Sequence, residues 1–231
     1  MSADPVILMY HSVEPYTEDP YRVTVRPERF DRQLRWLRRR GLRGVSMREL
    51  RAATDPRGLV GLTFDDGYAD FVTRVVPALR RYGFTATVYV VVGALGGDNA
   101  WDADGPRKPL MTAADARRVA QDGIEVGSHS LTHRRLSTVD AAGVEDEIGA
   151  SRVALERIVG GPVEGFCYPY GDAADREVAM AARAGYAYAC AVGARAFAGP
   201  HALPRTYIGD RDSSPRLYAK WLRHRIHGGV R

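Results

Sequence analysis

Three short clusters in this 231-residue chain carry residue types that can do chemistry together. The first is Thr63-Phe64-Asp65-Asp66-Gly67. Adjacent carboxylates repel unless a cation, usually a metal ion, compensates them. One can then bind the metal while the other stays free as a base. The same residues also suit the acidic first turn of a helix, with Asp66 or Asp70 as its cap. The second cluster is His129-Ser130-Leu131-Thr132-His133. Histidines at i and i+4 face one point when the backbone makes a helical turn, although such a pair also arises by accident. Imidazole is a common ligand for zinc and related metals. With Asp66, the two histidines complete a two-His, one-carboxylate set. Such a set leaves coordination positions open, as a catalytic metal needs. The third cluster, Phe166-Cys167-Tyr168-Pro169-Tyr170-Gly171, can wall a substrate groove or simply pack a strand end.

The elements that must hold these clusters follow from periodicity and breakers. Strands are predicted at 6–10, 59–64, 85–92, 125–128, 165–169, 187–192 and 203–208. Helices are predicted at 26–40, with Pro27 in its first turn and Gly41 at its end. Others open at a capping box, Ser46-Met47-Arg48-Glu49, run on to Tyr82, and run from a Thr112 cap to Gly123. Further helices cover 138–159 and 174–184, and a last one opens at Ser214-Pro215. About seven alternations imply a mostly parallel sheet with helical crossovers, an α/β single barrel-like domain over 1–231. Each chemical cluster lies just past the C-terminal end of a predicted strand, the rim where active sites assemble in such folds. Residues 93–110 form a long loop, a length that is usually functional.

In order and local sequence the clusters resemble the polysaccharide deacetylase family, carbohydrate esterase family 4. Its Thr-Phe-Asp-Asp-Gly motif is matched in full at 63–67, its His-Ser/Thr-x-x-His motif at 129–133, and its Pro-Phe/Tyr-Gly motif at Pro169-Tyr170-Gly171. The similarity continues through Leu8-Met9-Tyr10-His11-Ser12-Val13, Gly123-Ile124-Glu125-Val126-Gly127-Ser128 and Leu203-Pro204-Arg205, nearly the whole chain. The resemblance implies a single distorted (β/α) barrel with about seven repeats, and metal-dependent removal of N-acetyl groups from amino sugars. By position it implies Asp65 as catalytic base and Asp66, His129 and His133 as ligands of one divalent metal ion. Zinc is expected, and such a site also accepts cobalt, nickel or manganese. The backbone N–H of Tyr170, beside Pro169, is implied at the oxyanion.

The chain departs from the family pattern twice. Many members carry arginine where Cys167 stands, steadying the base; Arg205 is the candidate substitute, an exposed or ion-paired barrel arginine being the other reading. The commoner layout puts the acid in a C-terminal Leu-x-His. Leu222-Arg223-His224 matches formally but lies in an Arg-rich helical pattern and reads as surface. His11 is therefore the expected acid, as in the branch with an N-terminal Met-Tyr-His motif that includes biofilm poly-N-acetylglucosamine deacetylases. A buried structural histidine is its other reading, and His201 is a third candidate acid. No general base is placed beside Cys167, so a nucleophilic cysteine is not expected. Trp101, in the long loop, can stack on a sugar ring or pin the loop to the barrel.

Composition narrows the partners. At 45% hydrophobic and 26% charged, the chain is neither disordered nor collagen-like, and two cysteines exclude a disulfide scaffold. The net charge is +5, but only two of 33 basic residues, Lys108 and Lys220, are lysine. That imbalance reads as arginine-biased coding. Arg38-Arg39-Arg40 and the tail from Arg216 read as solvated helix faces, and no nucleic-acid partner is expected. No apolar run approaches the ~18 residues of a membrane span. The opening Met-Ser-Ala-Asp-Pro lacks the basic start and apolar stretch of an export signal. A cytoplasmic location is therefore expected, with a small or carrier-linked N-acetylated sugar as substrate. The competing readings are hydrolysis of another non-peptide C–N bond, and a sugar-binding pseudoenzyme, which would not need the intact Asp65, Asp66, His129 and His133.

Overall fold

Alternation along the short strands decides the architecture. In β1 (Ile7–Tyr10), β6 (Thr87–Val90) and β9 (Tyr188–Val192) every residue but the last of β9 is buried, so both faces must be covered. One face, including Leu8, Tyr10, Val88, Val90, Ala189 and Ala191, packs under helices; the other, including Ile7, Tyr89, Tyr188 and Cys190, belongs to a separate cluster. Two faces with two cores are what a closed barrel requires. The computed structural model describes residues 5–192 and 199–227. The first four residues of the opening and the last four of the basic tail lie outside the described residues.

The remaining elements are β2 (Ser12–Val13), β3 (Thr24–Val25), α1 (Pro27–Arg39), β4 (Arg43–Val45), α2 (Met47–Ala52), β5 (Leu59–Phe64), α3 (Val76–Tyr82), α4 (Ala113–Gln121), β7 (Glu125–Ser128), α5 (Ala141–Glu145), α6 (Ser151–Val159), β8 (Gly165–Cys167), α7 (Asp175–Arg183), β10 (Leu203–Tyr207) and α8 (Ser214–His227). Strands β1, β10, β9, β8, β7, β6 and β5 pair in that order, and β5 returns to β1, closing a parallel ring of seven with β4 added beside β5. The fold is a distorted (β/α)7 barrel, as the sequence pattern implies. Met47 and Leu50 of α2 belong to the inner cluster. The N–H groups of Met47 and Arg48 bond Thr87 and Glu125 at 2.8 and 2.7 Å, so α2 plugs the N-terminal mouth.

Several local expectations change. Strands β2, β3 and β4 are two or three residues long, too short for periodicity to register. The pattern at 138–159 begins with a 3-10 turn, Leu136–Thr138, and restarts at Asp140, whose side chain accepts from Gly143 N. A π-turn, Asp146–Ala150, joins α5 to α6. Asp70 caps nothing; its carboxylate accepts from the Ser12 hydroxyl at 2.6 Å and Val13 N at 2.9 Å. His224 is buried, 1% exposed, not a surface residue. It lines a cavity with Ile7, Leu203 and Pro204 at the N-terminal mouth, because the face of α8 that carries it and Leu217 turns inward.

Two glycines test the packing. A Cβ on Gly165 would collide with the Tyr188 phenol inside the barrel, whereas one on Gly149 meets nothing. We expect Gly165→Ala to cost about 1–3 kcal/mol of stability through overpacking. Gly149→Ala is expected to gain up to about 1 kcal/mol from helix propensity. Urea unfolding midpoints at equal slope check both.

Candidate active site

The three chemical clusters meet at the C-terminal rim in one cavity of about 220 Å³, lined by His11, Asp65, Asp66, Trp101, His129, His133 and Tyr170 among others. Five non-glycine residues among those described have left-handed backbone, and four of them are Asp66, Ser130, His133 and Tyr170. Each costs about 1 kcal/mol or more and persists only where the surroundings over-determine it. Here the sharp turns come where strands β5, β7 and β8 end and their side chains must point into the cavity.

Asp65 and Asp66 leave β5 in opposite roles. Both oxygens of Asp65 are gripped by Arg205, Nη1 to Oδ1 at 2.6 Å and Nη2 to Oδ2 at 2.7 Å. The Arg205 side chain is 0% exposed. It also donates to Thr63 Oγ1 at 3.1 Å and Cys167 Sγ at 2.9 Å. Burial pushes the Asp65 carboxyl up, but the Arg205 charge and hydrogen bonds outweigh it and hold the group below its ordinary range. The Cys167 thiol is pushed up by burial and stays protonated; it donates to Asp65 Oδ2 at 3.7 Å.

Asp66 faces the histidines. Its Oδ1 lies 3.4 Å from His129 Nε2 and 3.3 Å from His133 Nε2. One ligand atom from each of the three residues lies within 4.8 Å of the others, so the set can hold a metal ion. Nδ1 of His129 bonds the Cys167 carbonyl at 2.8 Å. A proton on that nitrogen leaves Nε2 with its lone pair toward Asp66, the orienting device common at metal-binding histidines. Asp65, His129 and Cys167 also cluster, but a protonated thiol and a carboxylate gripped by arginine make a poorer ligand set.

The turn that presents the histidines is not helical, contrary to expectation. Ser130 and His133 are both left-handed, and His133 N donates to Ser130 Oγ at 3.0 Å. Buried Glu147, in the π-turn between α5 and α6, accepts from Leu131 N at 3.0 Å and Thr132 N at 2.8 Å, and from the Thr132 hydroxyl. Sequence reasoning missed Glu147. Its signal is a carboxylate on the apolar stripe of Val144, Ile148, Ser151 and Leu155.

Trp101 matches its loop-pinning reading. Its ring stacks on His133 at 4.3 Å between centroids, pinning the loop, and it also lines the cavity. Tyr170 meets His133 edge-on at 4.8 Å, and Pro169 is buried behind it. Asp102, not singled out from the sequence as a site residue, also lines the cavity; burial raises its carboxyl above the usual range. His11 stands at the end of β1 with its Nδ1 buried and without a hydrogen-bond partner among the described residues. His201 is not brought into the cavity; its Nε2 bonds the Tyr186 carbonyl at 2.8 Å. His224 lies at the opposite mouth.

Comparison with known proteins gives a consistent picture. The sequence profile of the family described as "Polysaccharide deacetylase" matches residues 52–189. The chain is 25% identical to Bacillus subtilis YxkH over 185 residues, 78% of this chain and 61% of that protein. It is 37% identical over 94 residues to the Escherichia coli poly-beta-1,6-N-acetyl-D-glucosamine N-deacetylase, 38% of this chain and 14% of the relative. The chain thus spans under two thirds of the length of these relatives. The solved structure of Streptococcus pyogenes deacetylase PplD superimposes with a TM-score of 0.77 at 24% identity, covering 95% of this chain and 99% of that one; it has the same fold.

The Asp65–Arg205 pair yields a stability test. Arg205→Met should strand a buried carboxylate and cost about 3–5 kcal/mol at pH 7, while Asp65→Leu combined with Arg205→Met should recover most of that. In the parent, the pair's contribution is present above the ordinary carboxyl range and is lost as pH falls through the lowered Asp65 value. In Arg205→Met, burial is opposed only by the weaker pull of His129 and His11, so Asp65 is expected to rise and its deficit to shrink as pH falls. Unfolding free energies of the parent and the two variants between pH 7 and pH 4 check the sign.

Proposed function

The chain belongs to the polysaccharide deacetylase family, and from that premise we propose that it removes an N-acetyl group from an amino sugar or sugar-containing intermediate, releasing acetate with the help of one divalent metal ion. The observation that carries the reading is one rim cavity holding Asp65 gripped by Arg205 beside an Asp66–His129–His133 set. Those three residues would hold the ion, zinc being the natural fit for two imidazoles and a carboxylate. When bound it supplies a Lewis acid for the amide carbonyl.

The chain's own residues do the rest. Asp65 takes the proton of the attacking water. Its bidentate grip by Arg205 fixes both oxygens and keeps it ionised at neutral pH. The Tyr170 N–H, turned by a left-handed residue at the strand end, faces the oxyanion of the tetrahedral intermediate; one such donor is typically worth roughly 10²–10³ in rate. His11, protonated, gives a proton to the departing amine. Trp101 offers its remaining face to the sugar ring. A cavity of about 220 Å³ has room for one sugar unit at the reacting centre.

The decisive experiment is acetate release from N-acetylglucosamine derivatives of graded size by zinc-loaded protein, with and without chelator. Release abolished by chelator and restored by zinc is expected. No release from any derivative by protein that holds one metal per chain would sink the reading. Asp65→Asn should keep the metal and lose at least about 10²-fold in kcat. His129→Ala should lose both metal and turnover. Metal content by mass spectrometry beside kcat separates the two roles.

A further inference from the structure

A second cavity, about 500 Å³, opens beside the first. The chain at 21–24 is the partition between them. Tyr21 and Val23 line the metal-side cavity, and Arg22 and Thr24 line the other, with the left-handed backbone at Arg22 turning its side chain to the far side. The opposite wall comes from the C-terminal end of β10 and the start of α8, including Arg211 and Arg216.

The acids in this cavity are already engaged. Asp19 accepts from Val23 N and Thr24 N at 3.0 and 2.9 Å. Asp210 takes Arg26 Nη1 at 2.6 Å and the Tyr16 hydroxyl at 3.0 Å. Asp212 takes Lys220 Nζ at 2.6 Å and Gly209 N at 2.8 Å. By contrast, the guanidinium groups of Arg22, Arg211 and Arg216 make no hydrogen bond or ion pair to any described residue. The charge left unanswered is therefore cationic. Arg22 is also the one left-handed non-glycine residue among those described that lies outside the three chemical clusters. Its carbonyl accepts from the Tyr207 hydroxyl and its N–H donates to the Asp19 carbonyl, which fixes the strained turn.

We propose that this cavity binds an anionic group, a phosphate or a carboxylate, carried by the N-acetylated substrate whose acetamide sits on the other side of the 21–24 partition. The inference rests on the deacetylase reading for what lies at the metal side, and on the arginines alone for the anion. Guanidinium forks match both oxyanions in two-pronged geometry. A neutral glycan would leave the three exposed arginines of the cavity wall to water, whereas an anionic substituent would pair with them and orient the sugar across the partition.

The test begins with calorimetric titration of the zinc-loaded protein with inorganic pyrophosphate. The double variant Arg211→Ala/Arg216→Ala should weaken binding at least tenfold. Arg157→Ala, which removes a positive charge outside both cavities, should not. Acetate release then compares uridine diphosphate N-acetylglucosamine, a uronic acid–N-acetylglucosamine disaccharide, and neutral diacetylchitobiose. The double variant should lower kcat/KM about tenfold for an anionic substrate, through KM, and leave the neutral one unchanged. Whichever anionic arm responds identifies phosphate or carboxylate. Pyrophosphate binding that is absent, or equal in the double variant and the parent, overturns the proposal; so does an equal loss on all three substrates. Binding that follows the arginines while no substrate releases acetate keeps the anion site and removes the deacetylase reading.

Discussion

The structure turns on one buried ion pair. Arg205 reaches from β10 past β1, which lies between β10 and β5 in the ring, to take Asp65 in both hands. Desolvating two such charges costs several kcal/mol per ion, and only excellent geometry with additional hydrogen bonds offsets it. The barrel supplies both. The guanidinium also bonds Thr63 of β5 and Cys167 of β8, and lies 5.7 Å from the Tyr89 ring centroid of β6. One side chain thus ties four strands together. Lysine could not replace it, since a point charge cannot grip two carboxylate oxygens in plane. The small Cys167 is part of the same solution: its sulfur stands within hydrogen-bond reach of Arg205 and Asp65, so a guanidinium can enter from β10 and meet the carboxylate from the barrel interior.

Around that pair, stability and function are divided between the two ends of the barrel. At the N-terminal mouth the polar groups of the inner layer are bonded to one another. Glu125, 2% exposed, accepts from Arg48 N and the Thr87 hydroxyl at 2.7 Å and the Tyr188 hydroxyl at 2.8 Å, beneath the plug of α2. The C-terminal rim carries the strained turns instead, and Glu147 and Ser130 fasten their backbone from behind. The chain's two lysines show the same economy. In an arginine-rich sequence both stand where a compact tetrahedral donor fits. Lys108 Nζ reaches Ser12, Thr24 and Glu14 at 2.7–2.9 Å, holding the long loop against β2 and β3. Lys220 Nζ reaches Asp212 and the Tyr207 carbonyl, holding α8 against β10.

What the sequence made legible was whatever is encoded within a few neighbouring residues. The Ser46/Glu49 capping box and the Thr112 cap form as written, and the αL glycine after Tyr82 ends α3. Strands of four or more residues with two apolar faces were readable, and with them the barrel and the rim position of each cluster. What depends on distant chain was not. Asp70 looks like a cap until Ser12 and Val13, 58 and 57 residues away, claim it. The His129–His133 spacing reads as helical because nothing local announces that Glu147 will bind its turn. His224 reads as solvated because its arginine neighbours dominate the pattern, while the one face of α8 that turns inward contributes few residues to it.

The same distinction between local and distant bears on why the histidine turn takes the shape it does. A single helical turn would leave its first N–H groups without intrahelical partners. The observed turn instead delivers Leu131 N and Thr132 N to Glu147, and Ser130 and Leu131 carbonyls to Val92 N and Gly93 N at 3.1 and 2.8 Å. Its backbone is thereby fixed from two directions, by the π-turn behind and by the end of β6 beside it. A Cβ at Gly93 would crowd the Leu131 carbonyl at 2.6 Å, so the close approach depends on glycine there. Two left-handed residues in four cost a few kcal/mol, and the anchoring bonds from both sides offset it. The result holds His129 and His133 rings 5.0 Å apart with their Nε2 atoms on one oxygen of Asp66. Strain in the backbone is therefore what lets Asp66, His129 and His133, presented from the ends of two strands, converge.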